Sequence, residues 1–152
     1  MLRKIRIGIV GVGNCASSLI QGIEYYKNKN ENDYCGLMHW DINGYKPYDI
    51  EVVCAFDVDS RKVGKNVYEA IFEKPNCTKI FYDNFKKCKK VIVSKGKILD
   101  GISPHTTSKK NDKYFLPISD DTVTEEEIVK KLIDTNTDIL INYLPVGSNI
   151  AS

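Results

Sequence analysis

The sequence has no long hydrophobic run. Its most apolar stretches, residues 5–12 and 139–146, are each about eight residues long, whereas a membrane-spanning helix needs about 20. The first residues are basic, but they continue as an alternating, strand-like run without the apolar region and cleavage site of a secretory signal. We therefore expect no membrane role and a cytoplasmic location.

Paired cysteines are also missing. The five cysteines, at positions 15, 35, 54, 77 and 88, are widely spaced, and none forms a C-x-x-C pair. An odd number at such spacing is typical of reduced thiols rather than of a disulfide framework or a zinc site. Cys35 and His39 lie close in sequence, but two ligands do not complete a structural site, so we predict no metal.

A strong charge of one sign is absent as well. The 22 basic and 20 acidic residues leave a formal net charge of +2. Nucleic-acid-binding domains present a concentrated basic surface, and here acidic residues offset the lysines found between positions 86 and 113. We expect no nucleic-acid partner. With 42% apolar residues in 152 positions, the chain can bury one core without a disulfide or a metal.

Short apolar runs alternate with amphipathic stretches along the chain. Runs rich in β-branched residues at 4–10, 50–56 and 138–144 predict parallel strands, the first of them buried at the centre of the sheet. Apolar residues at three- and four-residue spacing predict helices after the first two strands, and a capping box from Thr124 to Glu127 predicts one before the last. This order predicts an α/β fold with a Rossmann-like, doubly wound parallel sheet.

Two segments interrupt the alternation. Residues 28–49 contain Asn, Lys, Tyr, Gly and Pro without a sustained period, which indicates a long inserted loop, and insertions of this length are often functional. Residues 75–121 place many lysines around short apolar pieces such as 91–93. No element is predicted within that second segment.

The first strand runs into a glycine turn, Gly11-x-Gly13-x-x-Ala16. In this pattern the first glycine permits a sharp turn, the second lets a diphosphate approach the backbone, and a small third residue lets the helix pack on the strand. The free N–H groups and the dipole at the helix start favour phosphate. We predict a dinucleotide site here; the alternative is a purely steric turn. Cys15 is interpreted as a small space-filling residue.

The second strand ends in an acidic residue, Asp57, where a dinucleotide's ribose hydroxyls would bind. It lies 44 residues after Gly13, about twice the usual spacing of about 20, and the loop at 28–49 accounts for the excess. The alternative role for Asp57 is to cap the following helix, but Asp59 and Ser60 are better placed as caps.

The same carboxylate bears on the choice of cofactor. An acidic residue at this position repels a 2′-phosphate, which indicates NAD rather than NADP. Arg61 and Lys62 weaken that preference, because a nearby basic side chain accommodates an extra phosphate.

Longer blocks of the sequence resemble one known family, the prokaryotic type of myo-inositol-1-phosphate synthase. They follow the family's order along nearly the whole chain, and the resemblance is thin only between residues 75 and 124, apart from 99–101. The blocks are residues 9–19, 22–26, 36–39, 55–59, 62–64 and 143–148.

The resemblance implies an NAD-dependent isomerase that converts glucose 6-phosphate to an inositol 1-phosphate by oxidation, enolisation, aldol closure and reduction. It also implies a homotetramer. The positions that match the family's cofactor contacts are Gly11, Gly13, Asn14, Cys15 and Ala16 for phosphate, Asp57 for ribose, and Asp100, Leu144, Pro145, Gly147 and Ser148 for the remaining contacts.

The family's catalytic residues belong to a later domain, beyond the turn at Ser148. We therefore expect residues 1–152 to be the amino-terminal, NAD-binding part of a synthase, with an incomplete sheet, no catalytic residue assigned and no turnover of glucose 6-phosphate alone. A non-catalytic NAD-binding module and a different NAD-dependent sugar-phosphate oxidoreductase remain the alternatives.

Overall fold

Four parallel strands form one sheet in the computed structural model, which describes residues 4–98, 115–119 and 122–145. The strands are β1 (Ile5–Val10), β2 (Ile50–Asp57), β3 (Val93–Lys95) and β4 (Ile139–Asn142). Their order across the sheet is β3-β2-β1-β4, and all three neighbouring pairs are parallel. The predicted Rossmann-like α/β class is confirmed.

Three α-helices lie between these strands in the described ranges: α1 (Asn14–Tyr26), α2 (Val67–Ala70) and α3 (Glu125–Asp134). The long helix α1 buries Ala16, Ile20 and Ile23, the helical spacing that the sequence predicts. None of the three is long and apolar enough to cross a membrane.

The capping box at the start of α3 is confirmed. The Glu127 backbone N–H donates to Thr124 Oγ1 (3.3 Å), and the Thr124 backbone N–H donates to the Glu127 carboxylate (3.0 Å). The helix packs less deeply than predicted, because Val129 and Ile133 are 52% and 68% exposed. In the described ranges, half of its expected apolar face remains open.

The core lies where β1 and β2 pack against α1. Ile7, Ile9, Val52 and Ala55 are buried there, since both strands have neighbours on either side. Gly8 lies where the pairing of β1 with β2 shifts by one residue. A Cβ at Gly8 would lie 2.9 Å from Cys54 Sγ, so these two strands meet too closely for a larger residue.

The predicted cap at Asp59 or Ser60 is wrong. Residues 60–64 form turns, and α2 starts only at Val67, with Asn66 preceding it. The Asp59 carboxylate instead accepts hydrogen bonds from Arg61 and from the Leu116 backbone N–H. Asp59 thus holds the chain segment 115–119 beside the end of β2 rather than starting a helix.

The segment at 28–49 is a loop, as predicted, and it folds onto α1. Trp40 is buried and packs on Tyr26, Tyr34 and Tyr48, with ring centroids 5.8 to 6.4 Å apart. The Tyr26 hydroxyl donates to the Cys35 carbonyl (2.7 Å). The loop ends in a short 3-10 turn at Pro47–Asp49.

Strand β3 was not predicted; it lies in the lysine-rich segment 75–121. Only three residues pair with β2, at Ala55–Asp57. Before β3, a buried Gln21 side chain accepts hydrogen bonds from the Phe81 and Tyr82 backbone N–H groups, so this irregular stretch is fixed by α1.

Candidate functional site

A cavity of about 320 Å³ opens where β1, β2 and β4 end. The chain continues from β1 to β2 on one side and returns to β4 on the other, so the strand order reverses between β1 and β4. Ligands of open parallel sheets bind at such a reversal, outside the carboxyl ends of the strands. Six predicted site residues line the cavity: Gly11, Gly13, Asn14, Asp57, Leu144 and Pro145.

Gly11 is required by the backbone itself. Its φ is +89°, a conformation that favours glycine. A Cβ there would lie 3.1 Å from the Tyr143 carbonyl oxygen, and the Gly11 N–H donates to the Phe56 carbonyl (2.9 Å). The sharp turn predicted at this position is present, and it brings the ends of β1, β2 and β4 together.

Gly13 differs from Gly11, because no contact within the protein requires a glycine there. Its φ is −93°, which any residue adopts, and a Cβ added there would meet nothing within 4 Å. The absence of a side chain therefore leaves space in the cavity rather than relieving a clash. An approach of a ligand to the backbone, as predicted for the second glycine of the motif, fits this geometry.

The start of α1 lies beside that space, and its N-cap residue makes no side-chain hydrogen bond. Gly13 precedes the helix without a side-chain cap, and its carbonyl accepts the first helical bond from the Ser17 N–H (2.9 Å). The first turn of α1 contains no acidic residue. Because the first N–H groups of a helix have no acceptor within it, and the dipole is positive there, this end suits an anion.

Ala16 is fully buried between α1 and the sheet, as the packing role of the third motif position requires. The interpretation of Cys15 as a space-filling residue is wrong, because Cys15 is exposed. It lines a second, larger cavity of about 1050 Å³ between α1 and the loop at 28–49. All five cysteines are free thiols. Asp100, Gly147 and Ser148 lie outside the described residues.

The Asp57 carboxylate faces the glycine turn. Its Oδ2 accepts a hydrogen bond from the Val12 N–H (2.7 Å), and its Oδ1 accepts from the Val58 and Asp59 N–H groups (2.7 and 2.8 Å). Asp57 therefore caps no helix. It ties the end of β2 to the turn after β1 and forms part of the cavity wall.

Lys62 and Asn76 complete the support of the turn. Lys62 Nζ donates to the Val12 carbonyl (2.8 Å) and to Asn76 Oδ1 (2.9 Å), and Asn76 Nδ2 also donates to the Val12 carbonyl (3.1 Å). Lys62 is only 3% exposed. Burial lowers the pKa of its ammonium, although the nearby carboxylates of Asp57 and Asp59 oppose that shift.

Lys62 and Asn76 differ in how visible they are in the sequence. Lys62 is visible as a basic residue close after Asp57, but nothing marks it as buried beneath the turn. Asn76 lies in the segment without a predicted element and has no signal. Both reach the turn through the fold, 50 and 64 residues away from Val12.

The Asn14 side chain is used by the protein. Its Oδ1 accepts hydrogen bonds from the Cys77 and Thr78 N–H groups (2.8 and 3.1 Å) and from the Thr78 hydroxyl (2.8 Å). This holds residues 77–78 against the start of α1. Any contact of Asn14 with a ligand therefore involves its backbone first.

Arg61 is likewise engaged. Its Nε and Nη2 donate to the two carboxylate oxygens of Asp59 at 2.9 and 2.6 Å. Within the described ranges, no group of three or more His, Cys, Asp or Glu side chains is placed to hold a metal ion.

Curated relatives match the chain over nearly its whole length. The inositol-3-phosphate synthase of Mycolicibacterium smegmatis is 43% identical, and those of Corynebacterium glutamicum and Mycobacterium tuberculosis are 42% and 41% identical. Each match covers 97% of this chain. The expected resemblance to the inositol-3-phosphate synthases is confirmed. The chain spans 38% of the length of each of these synthases.

Solved structures share the fold. The crystal structure of Ari2 aligns with a TM-score of 0.68 at 24% identity, covering 94% of this chain and 38% of that one. A myo-inositol-1-phosphate synthase-related protein from Thermotoga maritima aligns with a TM-score of 0.65 at 20% identity, covering 93% and 35%. At these identities the likeness concerns the fold alone. No protein-family model matches the chain.

Proposed function

We propose that this chain is the NAD-binding part of an inositol-3-phosphate synthase, an isomerase that converts glucose 6-phosphate to myo-inositol 1-phosphate. The observation that carries the proposal is the open position at Gly13, which lines the cavity and where an added Cβ would meet no protein atom within 4 Å. The similarity to curated synthases supports the choice of enzyme.

The diphosphate of the cofactor is proposed to bind over Gly13 at the start of α1. The helix begins directly after Gly13, which provides no side-chain cap for its first N–H groups. Because the dipole and the donors act together, a helix start of this kind favours phosphate.

The adenosine ribose is proposed to bind at Asp57. This carboxylate already accepts three backbone N–H groups, and two oxygens offer about four acceptor positions, so one remains for a ribose hydroxyl. Arg61 is paired with Asp59, and Lys62 is buried beneath the turn. Neither basic residue is therefore placed as a surface cation for a 2′-phosphate, which supports NAD over NADP.

The remaining cofactor contacts are proposed to come from the end of β4, where Leu144 and Pro145 line the cavity. When bound, NAD supplies a hydride acceptor that later returns the hydride to the sugar. The residues of this chain bind and orient it, and none is proposed to bind the sugar phosphate. We expect NAD binding by this chain without inositol phosphate formation.

A matched pair of glycine variants tests the proposal. Gly13→Ala and Gly22→Ala each add one methyl group where the protein has no atom within 4 Å, but only Gly13 lines the cavity at the strand ends. We expect Gly13→Ala to weaken NAD binding at least about tenfold, or about 1.4 kcal/mol, and Gly22→Ala to leave it unchanged. Calorimetric titration of both variants with NAD measures this.

Two results would contradict the proposal. One is the absence of NAD binding by the unaltered chain at millimolar cofactor. The other is equal NAD affinity in Gly13→Ala and the unaltered protein, with both shown to be folded by circular dichroism.

A further inference from the structure

The peptide group at Val12, between the two glycines of the turn, is held from both sides. Its N–H donates to Asp57, and its carbonyl accepts from Lys62 and Asn76. The Asn76 amide alone would satisfy the Val12 carbonyl, because a carbonyl oxygen needs only an uncharged donor. The charge on Lys62 is therefore not explained by the needs of the turn.

Burial makes that charge costly. Lys62 is 3% exposed, and a buried ammonium is retained when an anion compensates for its lost hydration. Its two hydrogen-bond partners among the described residues, the Val12 carbonyl and Asn76 Oδ1, are both neutral. The carboxylates of Asp57, Asp59 and Glu73 act on it only through space, and the Arg61 guanidinium opposes them. Of its three ammonium protons, two are thus accounted for in the described ranges.

Lys62 also lines the cavity at the strand ends, together with Gly11 and Gly13. Its ammonium binds the carbonyl of Val12, the residue before Gly13, so the charge lies one residue from the space left open at Gly13. This is the place where the diphosphate is proposed to bind.

We propose that Lys62 is a positioning residue for the diphosphate: its buried ammonium fixes the Val12 carbonyl and supplies a positive charge beneath the anion. The inference rests on the proposed function and deepens it, because it names the charge that compensates for the diphosphate at this site. It also explains why a lysine, rather than a second amide, supports the turn. Lys62 acts on the ligand from below the backbone, whereas the helix N–H groups act from its side.

The test compares ligands with and without the diphosphate. ADP contains the diphosphate, whereas adenosine retains only the base and the ribose. We expect Lys62→Met and Lys62→Gln to lower the affinity for ADP and NAD at least about tenfold and the affinity for adenosine less than about twofold. Lys62→Arg keeps the charge and should restore part of the ADP affinity.

Lys65→Gln is the matched control. Lys65 lies three residues further on, its side chain is 42% exposed, and it pairs with Glu73. We expect this variant to bind ADP and adenosine as the unaltered chain does. A loss common to both lysines would show a general effect of positive charge and would overturn the specific role of Lys62.

A measurement on the unaltered chain covers the case in which the Lys62 variants do not fold. The side-chain 15N resonance of Lys62, assigned by specific labelling, should shift on addition of ADP and stay in place on addition of adenosine. An unmoved resonance at saturating ADP would overturn the proposal.

The failure of this inference is separable from failure of the proposed function. If the unaltered chain binds neither ADP nor NAD, both are wrong. If it binds them and Lys62→Met binds them equally well, only the role of Lys62 is wrong.

Discussion

The Val12 N–H donates to the Asp57 carboxylate over 2.7 Å, across a sequence separation of 45 residues. This bond joins the glycine turn after β1 to the end of β2. An acidic side chain at this place therefore has two tasks, because it holds the turn and is proposed to bind ribose. The two tasks are separable by experiment.

Replacing Asp57 separates them. Asp57→Asn keeps one oxygen for the Val12 N–H but loses the charge, and Asp57→Ala loses both. We expect both variants to lower NAD affinity about tenfold and to narrow the preference for NAD over NADP, because the charge no longer repels a 2′-phosphate. Asp57→Ala should lose the more stability, at least about 1–3 kcal/mol, because it leaves three backbone donors without their acceptor, whereas Asp57→Asn keeps one of the two acceptor oxygens.

The measurement is the dissociation constant for NAD and for NADP, together with urea unfolding. Asp33→Asn is the control. Asp33 is an exposed carboxylate that pairs with Lys29 in the loop at 28–49, outside the glycine turn. An unchanged NAD affinity in Asp57→Ala would remove the ribose assignment.

Gly8 should not tolerate a side chain. A Cβ there would meet Cys54 Sγ at 2.9 Å and Leu140 Cδ1 at 3.0 Å, and overpacking of this kind costs about 1–3 kcal/mol. We expect Gly8→Ala to lower the free energy of unfolding by that amount. Because Cys54→Ala removes the nearest atom, the double variant should lose less than the sum of the two single losses.

Denaturant unfolding of the two single variants and the double variant measures this coupling. Gly22→Ala is the control, because its added methyl group meets nothing within 4 Å and alanine favours a helix interior. Strict additivity of the two single losses would show that the sulfur atom is not what limits the space at Gly8.

Arg61 should stabilise the fold through Asp59. Burial by itself would raise the pKa of Asp59, but hydrogen bonds from Arg61 and from the Leu116 N–H outweigh it and lower the pKa below 3.8. Removing Arg61 leaves a buried carboxylate without its cation, so we expect Arg61→Ala to cost about 3 kcal/mol at pH 7. Lys29→Ala breaks a surface pair with Asp33 and should cost under about 1 kcal/mol.

The pH dependence has a defined sign. A carboxyl group whose pKa is lowered by folding stabilises the folded state above about pH 4, and that contribution is lost as the pH falls through the folded-state pKa. The stability difference between the unaltered chain and Arg61→Ala should therefore be largest near neutral pH and shrink in acid. Urea unfolding at a series of pH values measures it; a constant difference would contradict the role of the ion pair.

The cysteines should differ in reactivity. Burial, with a hydrogen bond to Glu24, raises the pKa of the Cys88 thiol to about 11, so at pH 8 only about one part in a thousand is thiolate, the reactive form. Cys54 is buried, whereas Cys15, Cys35 and Cys77 are exposed. We expect three fast thiols and two slow ones with iodoacetamide, read by mass spectrometry, and five of equal rate in denaturant.

The elements that the sequence predicts well are those whose own residues decide them. The continuous apolar run of β1, the glycine turn and the capping box at Thr124 each contain their cause within a few residues. The end of β2 at Asp57 follows from the same local signals. These features position most of the candidate site.

The elements that the sequence does not predict depend on distant partners. β3 is three residues long and exists because β2 offers an edge at Ala55–Asp57. Helix α2 starts at Val67 rather than after Asp59, because the Asp59 carboxylate accepts hydrogen bonds from Arg61 and from the Leu116 N–H instead of capping a helix. Lys62 and Asn76 reach Val12 only after folding, so no sequence period reveals them.

The double support of Val12 has a consequence for the energetics of binding. A turn whose peptide N–H and carbonyl are both fixed by the fold has little conformational freedom left to lose. The conformational entropy of the turn is therefore lost during folding rather than on binding, and the turn is preorganised for a ligand. Less of the free energy of the contacts is then spent on ordering the turn, and the remaining entropic cost is that of immobilising the ligand.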